Sequence, residues 1–380
     1  MKTKVLFLVS DFYHGGAQRE MFELDSVIDK SSIDVNILCL SQLNSSEYFT
    51  DFFYEKHLGI KTTVFFLEDI IPNSKSGLLK KIANRIQGNK NNLKKRKALE
   101  TFLNGFTRVF FMGEYVFQSI ASILSQNYFE KVIIFIMSAR FQGEHYRNLP
   151  KDVKYLFISG FDKQEEVDYE FEGFTNYNHI PLLLSLRVSE AFNNWKFESH
   201  NKVKKIGIFT RLNKSKPLDP FFYALHILLN ELPNVELHIF GAGDYKKAGY
   251  DRYISHLQLS KKIFFKGHQK DIKASINKER LDLVWFQGYN NKPAGYAALD
   301  ICLTGIPLLL WDFYAGINIK INQTEEVFPH FKDLSLFVEA SKKVLQNEEF
   351  ANAVSEKQFK YVIDKRDIEQ NINAIKHLFN

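Results

Sequence analysis

The residues best equipped for chemistry fall in two short stretches of the second half of the chain. Thr210-Arg-Leu-Asn-Lys-Ser-Lys216 follows an apolar, strand-like run and carries Arg211 and Lys216. Two fixed cations just past a strand suit a diphosphate, because Arg makes bidentate contacts and Lys acts as a point charge. The plain alternative is a solvated turn with incidental lysines, Lys214 among them. The second stretch is Asn291-Lys-Pro-Ala-Gly-Tyr-Ala-Ala-Leu-Asp-Ile-Cys-Leu-Thr-Gly-Ile-Pro307. Pro293 and Gly295 open a helix, Gly305 ends it, and Pro307 starts an apolar strand, the expected polarity of such signals. The helix is apolar on most sides, so burial is expected, yet Tyr296, Asp300 and Thr304 recur at i, i+4 and i+8 as one polar stripe. A buried carboxylate must face a partner, a cleft or a ligand, because an unpaired buried charge is expensive.

The first half offers a weaker signal. Asp11-Phe-Tyr-His-Gly-Gly-Ala-Gln-Arg-Glu20 is a glycine-containing loop leading into a helix. Gly15 and Gly16 can bring backbone N–H groups and a positive helix end against an anion, or serve packing alone. His14 in that loop, and Glu144 and His145 beyond a later strand, are candidate site residues, with an ordinary surface role as the alternative for each. The loop lacks the Gly-x-Gly-x-x-Gly of dinucleotide binders, and the second strand ends Cys39-Leu-Ser-Gln42 without an acid to hold a ribose. A nicotinamide or flavin role is therefore disfavoured.

Strands alternating with helices must position these loops. Apolar runs over 4–10, 35–40, 62–67, 108–111, 131–138 and 153–159 read as strands of one parallel sheet, and His179-Ile-Pro-Leu182 ends this half. Helices are expected from about residue 17, over a long basic region 77–103, and over 115–124. After the polar segment 193–202 the pattern restarts, with strands over 205–210, 235–240, 263–266, 281–286 and 307–311. Helices are expected there over 219–231, 244–258, 271–278 and 334–345, and a last one over 368–379. The chain reads as an α/β protein with domains 1–192 and 193–362 and a C-terminal segment 363–380 returning to the first.

At 380 residues, 45% apolar and 25% charged, the composition is that of a globular two-domain protein. No apolar run reaches the roughly 20 residues of a membrane span, and the N-terminal run is a strand rather than a signal peptide. A cytoplasmic protein is expected. Cys39 and Cys302 sit in apolar segments with no metal spacing. The net charge is +6, and Lys80, Lys81, Arg85, Lys90, Lys94, Lys95, Arg96 and Lys97 cluster among leucines and isoleucines. Such a basic amphipathic segment either lies on the inner face of an anionic membrane or packs its apolar side on its own domain. No nucleic-acid motif accompanies it.

Taken in order, these motifs resemble the GT-B glycosyltransferases, specifically the retaining family 4 type. Gly15-Gly-Ala-Gln-Arg19 resembles that family's N-terminal loop, and Arg211, Leu212 and Lys216 its Gly-Arg-Leu-x-x-x-Lys. Gly241-Ala-Gly243, Phe265-Lys-Gly267-His268 and Asp300-Ile-Cys-Leu-Thr-Gly305-Ile-Pro307 follow in register. Where the family carries two glutamates eight positions apart, this chain has Lys292 and Asp300, and after Trp311 the usual Gly-Gly-x-x-Glu is missing. The resemblance implies two doubly wound, Rossmann-like domains facing across a cleft. It also implies transfer of a sugar, with retention, from a nucleotide-diphosphate donor to a glycan or lipid-linked acceptor in surface polysaccharide or glycoconjugate synthesis. Arg211 and Lys216, with His14, are then the catalytic candidates. Gly15, Gly16, Gly241, Gly267, His268, Lys292, Ala294, Gly295, Tyr296 and Asp300 are the donor-binding ones, Asp300 on the ribose and the Gly267 turn on the base. No Asp-x-Asp triplet occurs, so no carboxylate-held metal and no cofactor are expected. A non-catalytic GT-B subunit, motivated by Lys292, and a nucleotide-sugar epimerase of the same architecture are the alternatives.

Overall fold

The computed structural model describes residues 2–41, 43, 51–71, 90–121, 124–136, 150, 153–158, 177–180, 186–213, 216–289, 292–293, 295–312, 327–331, 333–374 and 376–379. The chain divides into two units, Met1–Arg187 with Asp367–Asn380, and Val188–Arg366.

Unit one is built from β1 (Thr3–Val9), α1 (Gly16–Val27), β2 (Ile33–Cys39), α2 (Phe52–Gly59), β3 (Thr63–Phe66), α3 (Leu67–Ile70), α4 (Lys90–Leu103), β4 (Arg108–Met112), α5 (Glu114–Ala121), β5 (Val132–Ile136), β6 (Lys154–Ile158) and β7 (Tyr177–Ile180). Its sheet runs β3-β2-β1-β4-β5-β6-β7, every pair parallel, with Val5 opposite Val35 and Arg108. The apolar run of β1 is continuous because both of its faces are covered. Leu6 and Leu8 enter one core with Leu99, Leu103 and Phe117. Val5 and Phe7 enter another with Met21, Leu24 and Phe110.

Two sequence expectations change in this unit. α2 was not anticipated, and it forms because Phe53 and His57 are buried against the β1–α1 loop, with Phe53 N–H donating to Phe12 O at 3.0 Å. Asp25, fully buried on α1, accepts from Thr62 Oγ1 at 2.6 Å, lies 2.7 Å from His57 Nδ1 and pairs with Lys30, so this interior carboxylate is satisfied. The tail is one short helix (Ile368–Asn371) followed by two 3₁₀ turns (Ile372–Ala374 and Lys376–Leu378) rather than a single helix. Asn371 and Asn373 are weak helix formers, and the bends let Ile368, Leu378 and Phe379 all insert into the Phe7–Phe110 core. In α4, Leu99 and Leu103 are buried in the unit's own core, while Leu93, Lys94 and Lys97 are exposed. The basic residues Lys80, Lys81 and Arg85, and the candidates Glu144 and His145, lie outside the described residues.

Unit two contains β8 (Lys204–Phe209), α6 (Asp219–Glu231), β9 (Val235–Phe240), α7 (Tyr250–His256), β10 (Ile263–Gly267), α8 (Ile272–Glu279), β11 (Leu283–Tyr289), β12 (Lys292–Pro293), α9 (Tyr296–Cys302), β13 (Leu308–Asp312), β14 (His330–Phe331), α10 (Leu334–Gln346) and α11 (Glu348–Lys365). The sheet runs β10-β9-β8-β11-β13-β14, with β12 folded back antiparallel on β11. Both units thus carry the strand order of doubly wound α/β folds, which reverses beside the first strand. Trp285, fully buried on β11, stacks on Phe221 and donates its indole N–H to Ser341 Oγ at 2.9 Å. The helix expected over 244–258 starts only at Tyr250, because Gly249 sits at φ 84° and ends the preceding turn.

Gln358 of α11 is the least ordinary core residue of unit two. Its amide accepts from Leu308 N–H at 3.0 Å and donates to Leu308 O at 2.8 Å, standing in for a neighbouring strand where β13 begins. Replacing it by Leu orphans two buried backbone groups. Gln358→Leu is expected to lower stability by about 2–4 kcal/mol, read as a shifted urea midpoint with an unchanged m-value. An unchanged midpoint contradicts the assignment.

Candidate functional site

In open α/β sheets ligands bind beyond the carboxyl ends of the strands, where the strand order reverses. In unit two that point lies between β8 and β11, and it is flanked by the 210–217 loop and by the segment from Gly288 to Gly295. The loop begins at Thr210, whose N–H donates to Phe240 O at 2.9 Å, and Leu212 N–H donates to Ala242 O at 2.8 Å. Gly241 N–H in turn donates to Gly267 O at 2.9 Å. The chain segments leaving β8, β9 and β10 are therefore laced backbone to backbone along one edge. This brings the Arg211 loop, Gly241 and the Gly267–His268 turn together.

Gly241 is the tightest point of the lacing. A Cβ there meets Thr210 O at 1.6 Å, and one on Gly243 meets Leu212 O at 2.5 Å. Gly241 is buried, and its visible role is this close approach, which shapes the loop bearing Arg211. Arg211 is exposed and Lys216 half-buried. Burial and then nearby Lys270 hold His268 below the usual histidine range, so its imidazole is neutral at pH 7.

Across the reversal point, β12 pairs antiparallel with the end of β11, the Lys292 backbone opposite Tyr289 and Pro293 opposite Gly288. Ala294 lies outside the described residues. Gly295, the N-cap residue of α9, has φ 88° and ψ 176°, a conformation open essentially to glycine alone. Tyr296 is buried and Asp300 half-buried on the helix. Thr304 leaves the expected polar stripe. It lies past the helix end, where its hydroxyl donates to Ile301 O at 2.6 Å and accepts from Ile306 N–H at 3.3 Å. The two thiols are buried and held far up by that burial, Cys39 at about 12 and Cys302 also well above the ordinary range, so neither is a thiolate nucleophile.

His14 and Gly15 lie in the equivalent turn of unit one, between β1 and α1, and Gly16 is the first residue of α1. His14 stacks on Phe52 with centroids 4.0 Å apart, and Gly15 lies under the Tyr13 ring, where a Cβ meets it at 2.4 Å. The sequence reading missed what organises this turn. The Asp11 carboxylate accepts from Ser10 Oγ at 2.7 Å, Tyr13 N–H at 3.1 Å and Gln18 Nε2 at 2.8 Å. Tyr115 on α5 then reaches Ser10 Oγ at 3.2 Å across the β1–β4 reversal. Two residues that fix the 210–217 loop, Tyr250 and Gln287, were missed as well. An open cavity of about 470 Å³ in unit two, lined by Phe197, Lys202, Lys204, Val235 and Leu345 among others, lies at the opposite edge, where β8 and β9 begin.

Residues 189–361 match the family described as glycosyl transferases group 1. Among curated proteins none matches the chain. Among solved structures, S. aureus TarM in complex with fondaparinux, alpha-GlcNAc-glycerol and UDP superposes with TM-score 0.69 at 12% identity, covering 100% of both chains. Anabaena HepE with UDP and glucose gives 0.67 at 13% identity over 99% of each chain. Sucrose-phosphate synthase from Thermosynechococcus elongatus gives 0.66 at 12% identity, over 100% of this chain and 98% of that one. At such identities the likeness establishes the fold, which is GT-B.

The lacing generates a direct prediction. Gly241→Ala forces the β8 and β9 loops apart, at an expected cost of about 3 kcal/mol or more. A melting curve within a degree or two of wild type contradicts that contact.

Proposed function

We propose that this chain, a GT-B glycosyltransferase whose residues 189–361 form a glycosyl transferases group 1 domain, transfers a sugar from a nucleoside-diphosphate donor to a glycan or lipid-linked acceptor. The observation that carries the reading is the placement of Arg211 and Lys216 on a loop laced to the Gly267–His268 turn at the carboxyl edge of the matched domain, with Gly295 across the reversal point. Departure of the sugar leaves negative charge on the diphosphate, and preorganised cations in a shielded site stabilise it better than water does. Arg211 grips the phosphates through its planar fork and Lys216 adds a point charge, so the residues themselves neutralise the leaving group without a metal. Asp300 accepts ribose hydroxyls, and the neutral His268 borders the base at the Gly267 turn. His14, in unit one, is the acceptor-side candidate. Retention, and a role in surface polysaccharide or glycoconjugate synthesis, complete the proposal.

Uridine donors head the candidates, because UDP is bound in the TarM, HepE and pneumococcal GtfA structures. A panel of nucleotide sugars tests the reading: hydrolysis or binding of at least one is expected, and binding of none overturns it. Arg211→Ala is expected to lower kcat/KM by about 100-fold or more, and an unchanged rate removes Arg211 from the mechanism. A second reading, a non-catalytic subunit, draws on Lys292 at a position where the family carries an acid, and turnover by the purified chain alone excludes it.

Peripheral attachment to an anionic membrane is part of the proposal. It is supported by the exposed Leu93, Lys94 and Lys97 on α4; no helix among the described residues is long and apolar enough to cross a bilayer. Neutralising Lys94, Lys95, Arg96 and Lys97 together is expected to reduce sedimentation with phosphatidylserine vesicles by about tenfold or more, at roughly 1 kcal/mol per charge. Unchanged sedimentation contradicts this attachment.

A further inference from the structure

Residues 210–213 and 216–217, after β8, carry both candidate cations outside any helix or strand, and something must hold them in place. Its first half is fixed by the backbone lacing to Ala242. Its second half is held from beneath by two side chains from distant parts of unit two. Tyr250, the first residue of α7, is 4% exposed, and its hydroxyl lies 2.7 Å from Lys216 O and 3.0 Å from Asn213 O. Those two residues are already joined by Lys216 N–H donating to Asn213 O at 3.0 Å. The phenol therefore closes on both ends of the turn that bears Lys216. Gln287, 5% exposed near the end of β11, donates its amide to Pro217 O at 2.7 Å, directly after that turn.

We propose that Tyr250 and Gln287 are positioning residues that hold Asn213, Lys216 and Pro217 after β8 and, through them, set the affinity of Arg211 and Lys216 for the donor's diphosphate. The affinity half rests on the donor reading above; the loop half does not. Neither side chain needs to touch the ligand. They tie the loop carbonyls of Asn213, Lys216 and Pro217, Asn213 O being shared with Lys216 N–H, and a loop that loses these ties disperses its two cations over many arrangements. A ligand that binds only one of them is then weakened by the fraction of time that arrangement is populated. Tyr250 is suited to the task because burial, reinforced by the charge of Asp219, pushes its hydroxyl up to about 12. It remains a proton donor throughout the neutral and mildly alkaline range. The ring has its own anchor, an edge-on contact with Phe222 at 5.8 Å, so removing the hydroxyl leaves the packing in place.

The test compares wild type with Tyr250→Phe and Gln287→Leu by hydrogen exchange, thermal melting and calorimetric titration with UDP. Amides of 211–213 and 216 in each variant are expected to exchange at least several-fold faster, while those of β8 are unchanged. The Kd for UDP is expected to rise about tenfold for Tyr250→Phe, the size of one or two ordinary hydrogen bonds, with Tm lowered by only a few degrees. Loop exchange equal to wild type in both variants overturns the proposal. Faster loop exchange with an unchanged Kd overturns the positioning role, as does a large fall in Tm with Kd preserved, which marks a merely structural contact. If the wild-type chain binds neither UDP nor GDP nor ADP, the donor reading and the affinity half fall together, and the exchange rates alone decide whether the two residues hold the loop.

Discussion

The site of unit two depends on how closely two backbones approach. Thr210 O lies where the first side-chain carbon of any other residue at position 241 would have to be, at 1.6 Å. Because Gly241 has no such carbon, the segments leaving β8 and β9 run side by side and exchange hydrogen bonds at Thr210 and Leu212. The Gly267 turn is bonded onto the same row through Gly241 N–H. The start of the Arg211 loop and the Gly267–His268 turn are held together through this contact.

The remainder of unit two stiffens that edge. Trp285 ties β11 to α10, Gln358 completes the start of β13, and Asp271 caps α8 by accepting from Ala274 N–H at 2.9 Å. Across the reversal point Gly295 turns the chain through a conformation denied to other residues and feeds it into α9. Unit one follows the same plan with different parts. Its β1–α1 turn is organised by a carboxylate, Asp11, rather than by backbone contact. The same strand order thus supports two turns of different chemistry, as expected when function is carried by loops on a shared scaffold.

The architecture was legible because buried parallel strands leave continuous apolar runs, and these survive any uncertainty about their ends. The helix Asp219–Glu231 and the strand Val235–Phe240 occupy the positions their patterns indicate. The aromatic segment that forms Phe52–Gly59 carries almost no helical periodicity; it is helical because Phe53 and His57 find a core to enter, a tertiary effect that no local pattern encodes. The candidate site shows the same divide. Arg211, Lys216 and Gly295 announce themselves by residue type beside a strand or helix end. Tyr250 and Gln287 do not, since they act through carbonyls 34 to 70 residues away in the chain. Thr304 was misread for a related reason: its spacing fits a helix face, but the helix ends at Cys302 and the hydroxyl serves the turn.

In the function proposed above, the donor's diphosphate is held at the carboxyl edge of unit two. The most direct measurement is the footprint of UDP on the wild-type chain by hydrogen–deuterium exchange. Protection confined to residues 210–217, 267–270 and 295–300 is the predicted result. Protection centred instead on Lys202, Lys204 and the cavity where β8 and β9 begin contradicts the account.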